Sequence, residues 1–298
     1  MTSGQGVSIE APAKINLGLE IIRKRPDGFH EIRTVLVMLT LADTLHVYVD
    51  EDSTGLALPN IPAEDNLISR ALGAFRKAAP QSPTLGWSIE KRIPVAAGLG
   101  GASSDAAAAL LAANELARNT LSRGELTDLA DGLGSDVPFF LDGPAALASG
   151  RGTDLAALPA IDQPVILLVP TVSIPEKTRT LYSMIRPEDM SDGARSTDVK
   201  DALSDGRLPE MNDLANAFSR PLADLILGVA KLRRLLHESG VHAFGLSGAG
   251  PAHYVIGANA CRTLESSGML DVERDWLDVI RTRTRLTPLH VAALAFHD

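Results

Sequence analysis

The 298-residue sequence predicts an α+β fold in two domains, 1–160 and 161–298, with the boundary falling near 150–163. Three observations lead there. The β-rich runs in 7–22 and 32–49 lie together at the N-terminus with no helix between them, which favours antiparallel pairing over a regular βαβ array. Helical segments with good formers come later, each set off by glycine or proline. The chain is also long enough, and at 45% hydrophobic apolar enough, to build more than one core.

In chain order, residues 7–22 (VSIEAPAKINLGLEII) read as a strand broken at Pro12. Residues 32–49 hold two β-rich runs with a turn expected at Ala42-Asp43. Residues 50–65 carry five acids and no base, a solvated connection. Asp65 is the expected cap of a helix over 66–79 that Pro80 ends. WSIEKRIP (87–94) alternates like a strand and runs into a glycine-rich turn, after which 103–119 is a strong helix. A helix near 122–133 stops at Gly132 and Gly134, and PVILLV (164–169) reads as a buried strand. Residues 185–213 form a polar, acid-rich excursion; 221–240 is one amphipathic helix stopped by Gly240; 242–257 is strand, glycine turn, strand.

Composition excludes several functions. With 28 Lys+Arg against 37 Asp+Glu the net charge is −9, which opposes a role coating nucleic acid, since that binding neutralises phosphates. No apolar run approaches the roughly 18 residues of a membrane span. The lone Cys261 fits a reducing compartment, and the N-terminal residues lack the basic and apolar regions of a secretory signal, so a cytoplasmic protein is expected.

The most informative stretch is Pro94-Val95-Ala96-Ala97-Gly98-Leu99-Gly100-Gly101-Ala102-Ser103-Ser104, between a strand and a long helix. Small residues let backbone N–H groups approach a polyanion, and the helix start adds partial positive charge. Ser103 or Ser104 can cap that helix or offer a hydroxyl to phosphate or metal. It is not a P-loop, because no lysine follows the glycines; nor is it G-x-G-x-x-G, because Ser103 stands at the third glycine position. The plain alternative is a serine-capped turn without a ligand.

Phosphoryl transfer also needs charge compensation and an activated nucleophile. Lys14 and Asn16 share one face of the first strand, and Asp136 stands at the mouth of an apolar segment. A lysine beside that carboxylate would keep it ready to take a hydroxyl proton; a snorkelling lysine and a turn aspartate are the plain alternatives. Asp27-Gly28-Phe29-His30 follows the basic trio Arg23-Lys24-Arg25, so a ring and an imidazole could meet a planar base at a turn, unless Phe29 tucks into the core. Ser247-Gly248-Ala249-Gly250-Pro251 is a second glycine turn, equally readable as a hairpin.

Together these pieces resemble the GHMP kinase superfamily of small-molecule kinases, through APAKINL (11–17), PVAAGLGGASSDAA (94–107) and LSGAGPA (246–252), in matching order across nearly the whole chain. RPDGFHEI (25–32), EDNLI (64–68), LGSDVPFF (133–140) and TPLH (287–290) resemble the branch that acts on a cytidine-diphosphate-linked methylerythritol in the non-mevalonate isoprenoid pathway. The resemblance implies a two-domain GHMP kinase fold, with a ribosomal-protein-S5-domain-2-like N-terminal domain and a ferredoxin-like C-terminal one. It implies ATP-dependent phosphorylation of the substrate's 2-hydroxyl, with Lys14 and Asp136 as the catalytic pair. ATP would lie on Pro94–Ser104, with Asn66 at the adenine. Asn16, Phe29, His30, Tyr182, Gly248 and Gly250 would meet the acceptor. Mg²⁺ would bridge the β- and γ-phosphates, assisted by Ser104. The implied partners are these small molecules, with no nucleic acid and no membrane, in a monomer or weak homodimer. Two departures stand out: Ala102 where a third glycine is common, and Phe29 where Tyr is frequent. Other readings are a homoserine- or mevalonate-type kinase, which has no nucleobase for the DGFHE turn to meet, and a non-catalytic nucleotide- or RNA-binding module, in which Lys14 and Asp136 would be idle.

Overall fold

In the computed structural model, which describes residues 5–50, 66–172, 176–209, 214–273 and 275–293, the first strand β1 (Gly6–Lys24) and the second, β2 (His30–Val49), pair antiparallel along almost their whole length. Neither Pro12 nor Ala42-Asp43 breaks them. Pro12 pairs with Ala42 and Ala11 with Asp43, and the register shifts between Pro12 and Lys14. The shift has a consequence for the core. Val7, Ile9 and Ala11 join the cluster under the helices, whereas Ala13, Ile15 and Leu17 join the cluster facing the second sheet. A bulge adds one residue and so exchanges the two faces of a strand of period two. Partner strand β2 changes phase too, with Val35, Val37 and Leu39 on one cluster and Leu45 and Val47 on the other. The expected turn is therefore a change of face within one strand.

After β2 the chain forms α1 (Leu67–Ala78), β3 (Leu85–Glu90), α2 (Gly101–Leu116), α3 (Arg123–Leu133), α4 (Val137–Asp142), β4 (Ala145–Ser149) and β5 (Asp154–Ala157). The cap of α1 is Asn66, whose Oδ1 accepts from Ile68 N (2.9 Å) and Ser69 N (3.3 Å); Asp65, the expected cap, lies outside the described residues. Helix α2 starts at Gly101, two residues earlier than expected, and its cap Gly100 is left-handed with no side-chain bond, so neither Ser103 nor Ser104 caps it. Six buried alanines let α2 sit close against α1, α3, α4 and β1, and a helix apolar on nearly every side belongs inside a core.

The second half adds β6 (Pro164–Pro170), α5 (Lys177–Ser183), α6 (Ala194–Ser204), α7 (Ser219–Leu225), α8 (Leu227–Glu238), β7 (Phe244–Leu246), β8 (His253–Ile256), α9 (Ala258–Ser266), α10 (Met269–Val272), β9 (Leu277–Arg283) and β10 (Val291–Ala293). The acid-rich excursion thus contains a helix, α6, tied down where buried Glu20 Oε2 accepts from Ser196 N (2.7 Å) and Oγ (2.6 Å). The single helix expected over 221–240 is two, broken at extended Ile226. The break lets Leu222 and Val229 pack beside β1 while Leu232 and Leu236 pack behind the second sheet.

Six strands form one sheet in the order β10-β1-β2-β4-β5, with β3 also on β2; four form the other, in the order β7-β8-β6-β9. Strand, helices, hairpin, helices, strand in that antiparallel order is the ferredoxin-like arrangement. Between the two sheets lies a core to which both contribute, including Ile15, Val37, Leu167 and Tyr254. The site opens where β1 passes from one sheet's company to the other's.

Candidate active site

Two cavities meet at the glycine-rich segment. The smaller, about 520 Å³, is lined by Asn66, Lys91, Asp105 and every residue from Ile93 to Ser103. The larger, about 930 Å³, runs from Lys14, Asn16 and Asp136 past Phe29, His30 and Tyr182. Ala96, Gly98 and Gly100 line both, so the segment is their common wall.

That wall is shaped by glycine where nothing larger fits. Gly98 has φ +87°, and a Cβ there would run into Ser247 O and come within 2.9 Å of Gly250 N. At Gly100 a Cβ would stand 2.8 Å from Lys14 Cγ and 2.9 Å from Phe140 Cζ. The first glycine segment and the second glycine turn therefore interlock, and Ser247 Oγ donates to Gly98 O (2.9 Å) while Ala252 N donates to Ala97 O (3.0 Å). Buried Asn216 holds the second turn from behind, donating from Nδ2 to Leu246 O and Gly248 O, both at 2.9 Å.

Entry to the segment is anchored by Asp43, fully buried on β2. Its Oδ1 accepts from Arg92 N (2.6 Å) and Ile93 N (2.9 Å), and its Oδ2 accepts from Lys91, which also reaches Asp105 Oδ2 at 2.8 Å. Burial pushes the Asp105 carboxyl up to about 7, against the pull of Lys91.

Lys14 is buried, yet its Nζ lies 3.4 Å from Asp136 Oδ2, and Asp136 is 38% exposed to the larger cleft. The ammonium is aimed by a chain of bonds across the bulge: Lys14 Nζ donates to Asn16 Oδ1 (2.6 Å), Asn16 Nδ2 to Thr34 Oγ1 (3.0 Å), and Thr34 Oγ1 to Gly18 O (2.5 Å). The backbone N–H of Lys14 donates to Leu99 O (2.8 Å), joining the lysine to the wall itself. Gly248 approaches this ammonium so closely that a Cβ would sit 3.2 Å from Nζ.

The aromatic part of the cleft comes from three places. Phe29 stands on the Asp-Gly turn joining β1 and β2, where Asp27 Oδ1 accepts from Phe29 N (3.1 Å), and it is 51% exposed rather than tucked into the core. Arg151 Cζ covers one face of its ring, 3.8 Å from the centroid. His30 stacks on Tyr182 with centroids 4.8 Å apart, and Phe218 meets Tyr182 edge-on at 4.9 Å. Burial and then nearby Lys24 lower the His30 imidazole, while burial and then Asp136 push the Tyr182 phenol up to about 12.

The structure therefore brings Lys14, Asn16, Phe29, His30, Asp136, Tyr182 and Gly248 to one cleft, and Asn66 with Pro94–Ser103 to its neighbour. Gly250 lines neither cavity; its carbonyl instead accepts from Lys177. Ser104 also lines neither: it is fully buried in the first turn of α2, and its Oγ has no hydrogen-bond partner among the described residues. Ala102 is exposed beside the smaller cavity. Sequence reasoning missed Arg151, Lys177, Lys91, Asp43 and Asn216. Arg151 lies between two left-handed glycines and Lys177 five residues before Tyr182, the only local signals either carried. Lys177 Nζ donates to Ala96 O (2.5 Å) and Gly250 O, and burial, then Lys14, lower its ammonium to about 8.

Comparison with known proteins follows this geometry closely. Residues 66–144 match the GHMP kinases N terminal domain, and 199–260 match the GHMP kinases C terminal domain. A 4-diphosphocytidyl-2-C-methyl-D-erythritol kinase of Dehalococcoides mccartyi is 36% identical over 84% of this chain and 89% of its own length. One of Solibacter usitatus is 32% identical over 100% of this chain and 96% of its own. Among solved structures, a 4-(cytidine 5'-diphospho)-2C-methyl-D-erythritol kinase superposes with a TM-score of 0.78 at 32% identity, covering 93% of this chain and 98% of that one. A homoserine kinase of Cytophaga hutchinsonii shares the fold, with a TM-score of 0.72 at 15% identity. Fold, motifs and relatives agree: this chain belongs to the 4-diphosphocytidyl-2-C-methyl-D-erythritol kinase family of the GHMP kinases, ATP-dependent kinases of small-molecule alcohols.

Proposed function

We propose that the enzyme transfers the terminal phosphoryl group of ATP to the 2-hydroxyl of 4-diphosphocytidyl-2-C-methyl-D-erythritol, in the non-mevalonate route to isoprenoid precursors. The observation carrying this reading is the shared wall: Ala96, Gly98 and Gly100 separate a cavity lined by the glycine segment from a cleft that holds a Lys–Asp pair and the rings of Phe29, His30, Tyr182 and Phe218. ATP takes the smaller cavity, with its phosphates on the N–H groups of the glycine segment and the start of α2. The acceptor takes the larger one, its cytosine on the open face of Phe29 and within reach of His30. Rings 4.8 Å apart leave no room for a base between His30 and Tyr182, so Phe29 is the ring available for stacking.

Asp136 takes the hydroxyl proton onto a carboxylate oxygen as the acceptor oxygen bonds to the γ-phosphorus and the bond to the departing ADP oxygen breaks. Lys14, beside Asp136 and held by Asn16, offsets negative charge as the phosphoryl group crosses. Ser104 Oγ is an unpartnered neutral oxygen of the type a hard cation takes, yet it is buried and lines neither cavity, so of the two serines it is Ser103, in the lining of the smaller cavity, that would offer magnesium an oxygen. A bound magnesium ion would supply charge neutralisation for the phosphates. We place the enzyme in the cytoplasm, a setting that suits its single cysteine, free and buried.

The test is ADP release with ATP and three acceptors in parallel: the diphosphocytidyl substrate, mevalonate and homoserine. Turnover with the first alone is the expected result. Turnover with either of the others and not the first would refute the substrate.

A further inference from the structure

Besides Lys14 the larger cleft is lined by Arg151, which covers the Phe29 ring, by Arg179, which pairs with Glu176, and by Lys177, which has neither kind of partner among the described residues. Lys177, the first residue of α5, lines the acceptor cleft and turns its ammonium to the carbonyls of Ala96 and Gly250, one from each of the interlocked glycine segments. Two readings compete. In the first, Lys177 is a clip holding the segments together. That clip is redundant, because Ser247 Oγ to Gly98 O and Ala252 N to Ala97 O already join the same segments. In the second, the charge itself matters. Among the described residues Lys177 has no carboxylate within salt-bridge distance; the neighbouring Glu176 pairs with Arg179 instead (3.2 Å). After burial, the charge that acts on it is another cation, Lys14, which shares the larger cleft. A half-buried ammonium that meets only neutral carbonyls, and is repelled by a second ammonium, is waiting for an anion.

Position says which anion. Ala96, whose carbonyl Lys177 holds, lines both cavities, so the ammonium stands at the join between the nucleotide and the acceptor rather than at the base-binding rings. A group handed from one cavity to the other passes there. We propose that Lys177 is a second cation of the phosphoryl-transfer centre: it leaves the carbonyls of Ala96 and Gly250 when nucleotide enters, contacts the terminal phosphoryl group of ATP, and with Lys14 flanks that group in transit. This assignment rests on the reading of the two cavities given above. A lysine suits it, since a compact ammonium on a flexible stem can follow a moving phosphoryl oxygen. The same helix carries Tyr182, so nucleotide arrival and the aromatic part of the acceptor cleft are linked through one short element.

The deciding experiment uses the full chain and needs no acceptor for its main readout. Calorimetric titration with magnesium-ATP and magnesium-ADP compares wild type with Lys177→Met and Lys177→Arg. If Lys177 meets the terminal phosphoryl group, Lys177→Met loses about tenfold in ATP affinity and less than threefold in ADP affinity. Its kcat falls about 10²-fold, the scale of removing one donor from a charge-stabilising site, and Lys177→Arg recovers at least a tenth of wild-type turnover. Equal loss of ATP and ADP, or a kcat within threefold of wild type, overturns the assignment and leaves Lys177 a clip. Should Lys177→Met melt several degrees lower than wild type, Lys177→Gln carries the same comparison, because its amide still donates to the carbonyls without the charge. A wild-type enzyme that turns over none of the three acceptors would sink the substrate reading, while the ATP-versus-ADP ratio would still judge Lys177.

Discussion

The cavity we assign to the nucleotide takes its lining from Asn66–Ile68, Lys91 and most of Ile93–Asp105, one compact region of the chain. The cleft we assign to the acceptor draws on β1, the β1–β2 turn, β2, the glycine segment, the residues before α4, the end of β4 and the loop after it, α5, the residue before α7 and the second glycine turn. The first is built largely from one glycine-rich stretch; the second gathers residues from many parts of the chain. The contrast has a chemical reason. Phosphates are common to all nucleotides and can be held by N–H groups and a helix start, which small residues in one loop supply. An acceptor must be distinguished by its base and one of its hydroxyls, which takes directed side chains in fixed places. If this division holds, substitutions in the two halves fail in different ways.

The largest effect is expected at the acceptor side of the wall. Asp136→Asn should lose at least about 10²-fold in kcat, the lower range of general-base contributions, while ATP affinity is unchanged. Calorimetry beside steady-state kinetics checks it, and a matching loss of nucleotide binding would break the division. Next comes the wall itself. Gly98→Ala forces a methyl into Ser247 O and Gly250 N at φ +87°, so both glycine segments must shift. A strain of roughly 1–3 kcal/mol should appear in nucleotide affinity and in melting temperature alike; an alanine enzyme with native ATP affinity would show that the interlock is dispensable.

Phe29→Ala sharpens the comparison from the other side. Removing an exposed ring should weaken the diphosphocytidyl substrate by roughly 1–3 kcal/mol in KM, with the KM for ATP untouched. The smallest effect concerns Asp105, whose carboxyl burial raises to about 7. The folded protein keeps this proton where the unfolded chain, with a carboxyl near 3.8, has released it. Its contribution to stability therefore declines as pH rises from about 4 to about 7. Asp105→Asn abolishes that decline, so the difference in Tm between variant and wild type should grow across this window. A constant difference would argue that Asp105 is ionised throughout.

How much of this was legible beforehand divides along the same line. The glycine segment could be read from one stretch of letters, since its chemistry depends on small residues followed by a helix. Lys14 and Asn16 could be placed on one face because a strand alternates. Their hydrogen bond to each other, and the relay through Thr34, depended on the long hairpin folding as one piece. The expected turn at Ala42-Asp43 failed for an instructive reason: a change of hydrophobic phase signals either a turn or a bulge, and only pairing with β1 through Pro12 and Ala11 decides between them. The single helix expected over 221–240 failed because its apolar stripe serves two cores, and Ile226 bends the chain to reach both.

By itself, then, the sequence determined the α+β class and the small-residue segment Pro94–Ser103 ahead of a helix, because each follows from local spacing, small side chains or helix propensity; the pairing of Lys14 with Asp136 came from the family resemblance. Tertiary structure supplied the contacts themselves. Lys14 and Asp136 are distant in the chain, Lys177 reaches carbonyls on two other segments, and Asp43 on β2 anchors the entry to the glycine segment. The physical reason is range. Turn chemistry and periodicity act over a few residues, whereas an ion pair or a buried hydrogen bond forms between whatever the packed sheets and helices bring within 3–4 Å.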